Sequence, residues 1–196
     1  MPLHLHLIVG LTLITGSPAS TDPLSANQMH PNAPAQTAQF AFLIGDWECA
    51  AESLTPDGKQ SFSSRGFWSG RWVIGGWAIQ DHWYSLGPAG VAGWGTNLRW
   101  WNQELGRWEN QWLQNGASQL SHFYADQVGD EMVMIGGAGD SAFGPFIDRN
   151  SFYDIGEHSW RWRKDRSFDQ GASWIANVST MHCQRRQPEN EGLPEQ

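Results

Sequence analysis

The chain has 196 residues, enough for one domain with a sizeable core and short for two. Twenty Asp and Glu against 12 Lys and Arg give a net charge of −8, which argues against a nucleic-acid partner. Charged residues make up 16%, against ~25% in typical soluble domains, while 13 Trp and 22 Gly exclude a disordered composition.

The chain opens with Leu7-Ile-Val-Gly-Leu-Thr-Leu-Ile14, an apolar run too short to span a bilayer. It leads into Ser17-Pro-Ala19, a small-x-Ala cleavage pattern, so residues 1–19 read as a secretory signal peptide. No Lys or Arg precedes Lys59, so the usual positive start is missing. Residues 20–39 are Ser, Thr, Asn, Gln and Ala with Pro23, Pro31 and Pro34, the composition of a disordered linker. Residues 188–196 form a similar polar tail, which leaves a single folded body over 40–187. The expected location is periplasmic or secreted, with no membrane span.

Inside the body, strand-like runs alternate with turn residues, which predicts an all-β fold. Gln36–Ile44 can form one short N-terminal helix. The predicted strands are Asp46–Leu54, Gln60–Ile74, Trp77–Leu86, Gly95–Asn102 and Arg107–Gln114, then Gln119–Asp126, Glu131–Gly136, Phe146–Ile155, Ser159–Ser167 and Trp174–Arg186. Turns fall at Pro56-Asp-Gly58, Gly75-Gly76, Glu104-Leu-Gly106, Asn115-Gly116, Val128-Gly-Asp130 and Asp169-Gln-Gly171. Short connections favour an up-and-down antiparallel barrel of about ten strands over a Greek-key sandwich. Such a barrel is wider than side chains readily fill, so a cavity is expected.

Tryptophan marks one face of several strands. Trp108 and Trp112 alternate with Arg107 and Glu109, and Trp160 and Trp162 alternate with Arg161 and Arg163. Such a face suits a cavity lining and an ordinary core equally well.

Phe42-Leu-Ile-Gly-Asp-Trp47 places Gly-x-Trp at the start of the first strand, and the last strand ends Met181-His-Cys-Gln-Arg-Arg186. This pairing resembles the lipocalin and calycin barrels, where that Trp closes one end beneath a basic residue of the last strand. Together with Gly75-Gly-Trp-Ala-Ile79, Arg107-Trp108 and Ser167-Phe-Asp-Gln-Gly-Ala-Ser-Trp174, the chain resembles a secreted bacterial family of lipocalin-like β-barrels, distantly similar to nitrobindins. The resemblance implies a fold and carries no reaction with it. It makes Trp47 and Arg185 structural residues.

Cys49 and Cys183 lie in the first and last strands, which are neighbours in a closed barrel, so a disulfide is expected. If they face each other, Trp47 sits opposite Arg185 on the same face. A cation–π contact there is worth ~0.5–2 kcal/mol.

Ser167-Phe-Asp-Gln-Gly-Ala-Ser-Trp174 also fits the Asp-box pattern of sialidase propellers. It occurs once, so Asp169 and Trp174 read as a structural hairpin staple. Asp81 and His82 are adjacent on a strand and point to opposite faces, so they cannot form a dyad with each other. If the Trp77–Trp83 face is inside, Asp81 is a candidate acid or polar anchor among indoles; the alternative is a hydrogen-bonded structural carboxylate. The histidines lack metal-ligand spacing, and the nitrobindin glycines after Gly-x-Trp are replaced by Cys49 and Ala51, so no metal and no cofactor is expected.

The leading expectation is an exported barrel, monomer or homodimer, binding a small apolar or aromatic molecule. Trp83, Trp100, Trp108, Trp112 and Trp162 are candidate stacking surfaces, and Asp81 and Arg163 candidate polar anchors. Trp100 and Trp101 cannot both face a cavity. Two alternatives remain: an enzyme using Asp81 or His82 as acid or base, and a glycan- or protein-interaction domain with Trp on the strand exteriors.

Overall fold

The structure, a computed structural model, describes residues 25–26, 28–55, 58–87 and 90–186. The predicted signal peptide and C-terminal tail lie outside the described residues. A two-residue strand, β1 (Ser25–Ala26), pairs with the end of β3 (Ser61–Val73). The remaining strands are β2 (Gly45–Leu54), β4 (Ala78–Gly87), β5 (Gly90–Asn102), β6 (Arg107–Gln114) and β7 (Ser121–Val128). They are followed by β8 (Glu131–Ser141), β9 (Gly144–Tyr153), β10 (Ser159–Ser167) and β11 (Ile175–Arg185).

Each of β2 to β11 pairs antiparallel with its sequence neighbour, and β11 returns to pair with β2. The described residues thus form a closed, up-and-down barrel of ten strands. Closure removes the free edges that an open sheet would expose.

The predicted strands all occur, and two of the larger differences in extent fall at glycines. β5 starts at Gly90 rather than Gly95, and β8 runs past Gly136 to Ser141. Glycines that resemble turn punctuation are part of the strands here. Gly136 and Gly137 have φ of 149° and 58° and carry the register shift between β8 and β9. Where a short helix is expected over Gln36–Ile44, the structure has a 3-10 element over Ala35–Leu43, beginning inside the stretch expected as a linker. It lacks an amphipathic α period, and Gly45 at φ 120° turns the chain directly into β2.

That 3-10 helix plugs one end of the barrel. Phe40 and Leu43 are fully buried, and Phe40 meets Trp108 edge-to-face at 4.9 Å between ring centroids. Trp47 Nε1 donates to the Leu43 carbonyl and Trp108 Nε1 to Gln39 Oε1, so both buried indoles are satisfied by the plug. Trp47, Trp160, Phe152 and Trp68 continue this cluster through edge-to-face contacts of 5.3 to 6.1 Å. Each such pair contributes about 0.5–1.5 kcal/mol beyond area burial.

The Cys49–Cys183 disulfide joins directly opposed residues of β2 and β11. The same register sets Arg185 opposite Trp47, with the guanidinium carbon 4.1 Å from the ring centroid.

Candidate functional site

Away from the plug, the interior opens into a cavity of about 750 Å³. Its position follows from side-chain parity. The chain enters β2 at the plugged end, so the far halves of the strands form the mouth. Inward positions there carry small residues, Ser53, Ser64, Ser85 and Gly93, which leave the space unfilled.

Three of the sequence-predicted aromatics, Trp83, Trp112 and Trp162, line this cavity together with Trp68 and Phe123. Two of these indoles lie over glycines of neighbouring strands. A Cβ on Gly66 would come within 2.0 Å of Trp83, and one on Gly95 within 1.9 Å of Trp112. The absent side chains let the indoles lie flat along the wall rather than project into the space.

Other predicted residues sit elsewhere. Trp108 faces inward but is fully buried against the plug rather than in the cavity wall. Trp100 has the opposite parity to Arg99 and Trp101 and lies half-buried on the outer face, so it does not reach the cavity. Arg163 also points outward, pairing with Glu131 at 2.6 Å and lying 4.7 Å over the Tyr153 ring. The parity of Trp160 and Trp162 puts its neighbour Lys164 inside instead.

Asp81 does face inward, yet it is committed to other residues. It forms an ion pair with Arg99, and the two side chains are 0% and 1% exposed. Asn97 Nδ2 donates to Asp81 Oδ1 at 3.0 Å, and Arg99 Nη1 donates to Asn110 Oδ1 at 3.0 Å. The Arg99 guanidinium is held between Phe40 and Phe152, with ring centroids at 5.0 and 5.5 Å. Asp81 therefore belongs to a satisfied polar network at the cavity floor, which Arg99 and Asn97 line while buried themselves. His82 is exposed on the outer face, and His182 has the outward parity opposite to Cys183.

A second polar group occupies the cavity wall on β9 and β10. Arg166 grips Asp148 through two hydrogen bonds of 2.7 and 2.9 Å and lies 3.6 Å over the Phe146 ring. Lys164 stands one inward position deeper, directly across from Asn150 on β9 and Ser179 on β11. Burial pushes the Lys164 ammonium pKa below its ordinary value; Asp148 opposes the shift and Arg166 adds to it. Arg99, Lys164 and Arg166 were not anticipated as lining residues. Their even or odd alignment with the inward tryptophans was the available signal.

The Asp-box hairpin sits at the mouth, joining β10 to β11. Asp169 accepts from the Ser167 hydroxyl, the Ser173 amide and the Ser173 hydroxyl at 2.7, 2.8 and 2.6 Å. The Ser173 hydrogen bonds, followed by that from Ser167, lower the Asp169 pKa to about 2. Gly171 adopts φ 93°, and Trp174 lies under the Arg149 guanidinium at 4.4 Å. The hairpin is stapled internally and gives the mouth a fixed rim.

No family model and no curated protein matches the chain. Among solved structures, Rv2717c from M. tuberculosis is similar, with 10% identity and a TM-score of 0.56 over 80% of this chain and 100% of that one. The likeness is one of fold. No helix among the described residues is long and apolar enough to cross a membrane.

Proposed function

We propose that this chain is an exported, lipocalin-like barrel that binds a small, largely aromatic molecule in its cavity. The observation that carries this reading is the open space of about 750 Å³ walled by Trp68, Trp83, Trp112 and Trp162. That volume suits a drug-sized ligand, and concave, aromatic-lined sites with a few polar groups are the usual form of small-molecule pockets. Two flat indoles offer stacking faces, while the Asp81–Arg99–Asn97 network closes the floor. Export is supported by the disulfide and by the apolar run ending in Ser17-Pro-Ala19.

The acid–base alternative has less support, because Asp81 is engaged by Arg99 and Asn97 and His82 lies outside the barrel. A carrier needs a preformed site and no reactive group, which matches the arrangement described. Native mass spectrometry of the protein from its own host's exported fraction tests the reading. A stoichiometric adduct lost on denaturation is the expected result. A folded, unliganded barrel that also takes up no aromatic probe would overturn it.

A further inference from the structure

The charges inside the barrel do not balance. Asp81 is matched by Arg99, and Asp148 is matched by Arg166 through a two-point hydrogen bond. That leaves Lys164 over. Its side chain lines the cavity, and among the described residues no hydrogen bond and no ion pair holds its ammonium.

A lone cation in an aromatic-walled interior is costly to desolvate unless something meets it. The surroundings give it no second carboxylate. Asn150, directly opposite on β9, offers only a carboxamide, and its Oδ1 is buried without a partner. Ser179, opposite on β11, is already hydrogen-bonded to Ser53 at 2.7 Å. The residue two positions deeper on β10 is Trp162, so an indole and an ammonium stand side by side on one strand of the wall.

This positive interior belongs to a chain whose net charge is −8. The bulk surface therefore repels anions while the cavity wall holds an unmatched cation, an arrangement that separates specific capture inside from adsorption outside.

We propose that the cavity selects aromatic anions, carboxylates or sulfonates of small ring systems, with the acid group seated on Lys164 and the rings between the tryptophan walls. The proposal rests on the cavity-binding reading and adds the charge of the ligand to it. Arg166 is not the anchor, because its fork is spent on Asp148. Lys164, with three donors on a flexible stem, can meet a carboxylate or a sulfonate without a fixed approach angle.

A matched pair of dyes tests this. Anilinonaphthalene sulfonate carries an acid group, and phenylnaphthylamine is nearly the same ring system without one. Energy transfer from the cavity indoles reports each dye in the full chain. The sulfonate should bind about tenfold more tightly than the amine, the margin of one partly desolvated charged hydrogen bond. Lys164→Met should remove that margin and leave phenylnaphthylamine affinity unchanged, and Lys164→Arg should retain it. Unchanged amine binding shows that the variant cavity is intact; if Lys164→Met loses both dyes, the same comparison is made in Lys164→Gln. Equal affinity for both dyes, or sulfonate binding indifferent to loss of the ammonium, overturns the proposal and leaves the cavity reading standing. Failure of both dyes to bind the wild-type protein overturns the cavity reading with it.

Discussion

The Arg185 guanidinium lies over the Trp47 indole, its central carbon 4.1 Å from the ring centroid, in the first and last strands of the closed barrel. Two backbone carbonyls fix its position: Nη1 donates to Ile44 at 3.0 Å and Nε to Glu157 at 2.9 Å. Arg185 thus ties the entry to β2, the turn before β10 and the end of β11 at one point. Gly45 makes room for it, since a Cβ there would come within 2.2 Å of Nη1 and the backbone φ is 120°.

Gly45→Ala should therefore destabilise the barrel by about 2 kcal/mol or more, through displaced guanidinium and strained backbone together. Arg185→Lys should cost about 1–2 kcal/mol, because an ammonium cannot reach both carbonyls and stack as well. Urea melts check both, with the midpoint lowered and the slope unchanged. A neutral Gly45→Ala would refute the close-packing account.

The disulfide spans a sequence separation of 134 and joins the two strands whose pairing closes the barrel. In the chain-entropy model a loop of that length is worth about 5 kcal/mol. Cys49→Ser with Cys183→Ser should lower stability by several kcal/mol and raise the urea slope, because the unfolded chain is no longer cross-linked. A double variant as stable as the parent would show that strand pairing alone sets closure.

Arg99→Met should leave the buried Asp81 carboxylate without its cation and cost about 3–5 kcal/mol. Adding Asp81→Leu should recover part of that loss, because the strand is then free of an unpaired charge. Calorimetric melts of the two singles and the double give the coupling. Additive losses would argue that the two residues act independently, against the ion pair seen at the cavity floor.

Asp169 supplies a pH prediction. Its hydrogen bonds from Ser173 and Ser167 hold the folded pKa at about 2, below the ordinary 3.8. The lowered folded value means that its stabilising contribution is present above about 3.8 and is lost as pH falls through about 2. The stability gap between the parent and Asp169→Asn should shrink across that window. Ser173→Ala should move the carboxyl titration, followed by NMR, back toward 3.8.

Gly95→Val should push the Trp112 indole off the wall and into the cavity, because the added side chain would occupy the space where the ring now lies. Phenylnaphthylamine affinity should fall about tenfold with little change in the melting midpoint. An unaltered affinity would mean that the ring relocates outward.

Much of this architecture follows from local rules. Alternation with period two and turn residues at short intervals delineate the strands, and antiparallel neighbours in an up-and-down order leave the first and last strands adjacent. Once Cys49 faces Cys183, the place of Arg185 over Trp47 is arithmetic. Inwardness was also partly legible. In β10, Trp160 and Trp162 share parity with Lys164 and Arg166, so Arg163 had to face out with Glu131. In β5, by contrast, Trp100 and Trp101 carry aromatics on both parities, and only the packed barrel assigns Trp101 inward.

What the tertiary structure alone decided is which polar groups are already matched. Asp81 finds Arg99 diagonally across β4 and β5, and Asp148 finds Arg166 directly opposite across β9 and β10. These partnerships depend on register, twist and side-chain reach between strands, quantities that no single strand encodes. The charge left on Lys164 is a remainder of those pairings, so it exists only once the barrel has closed.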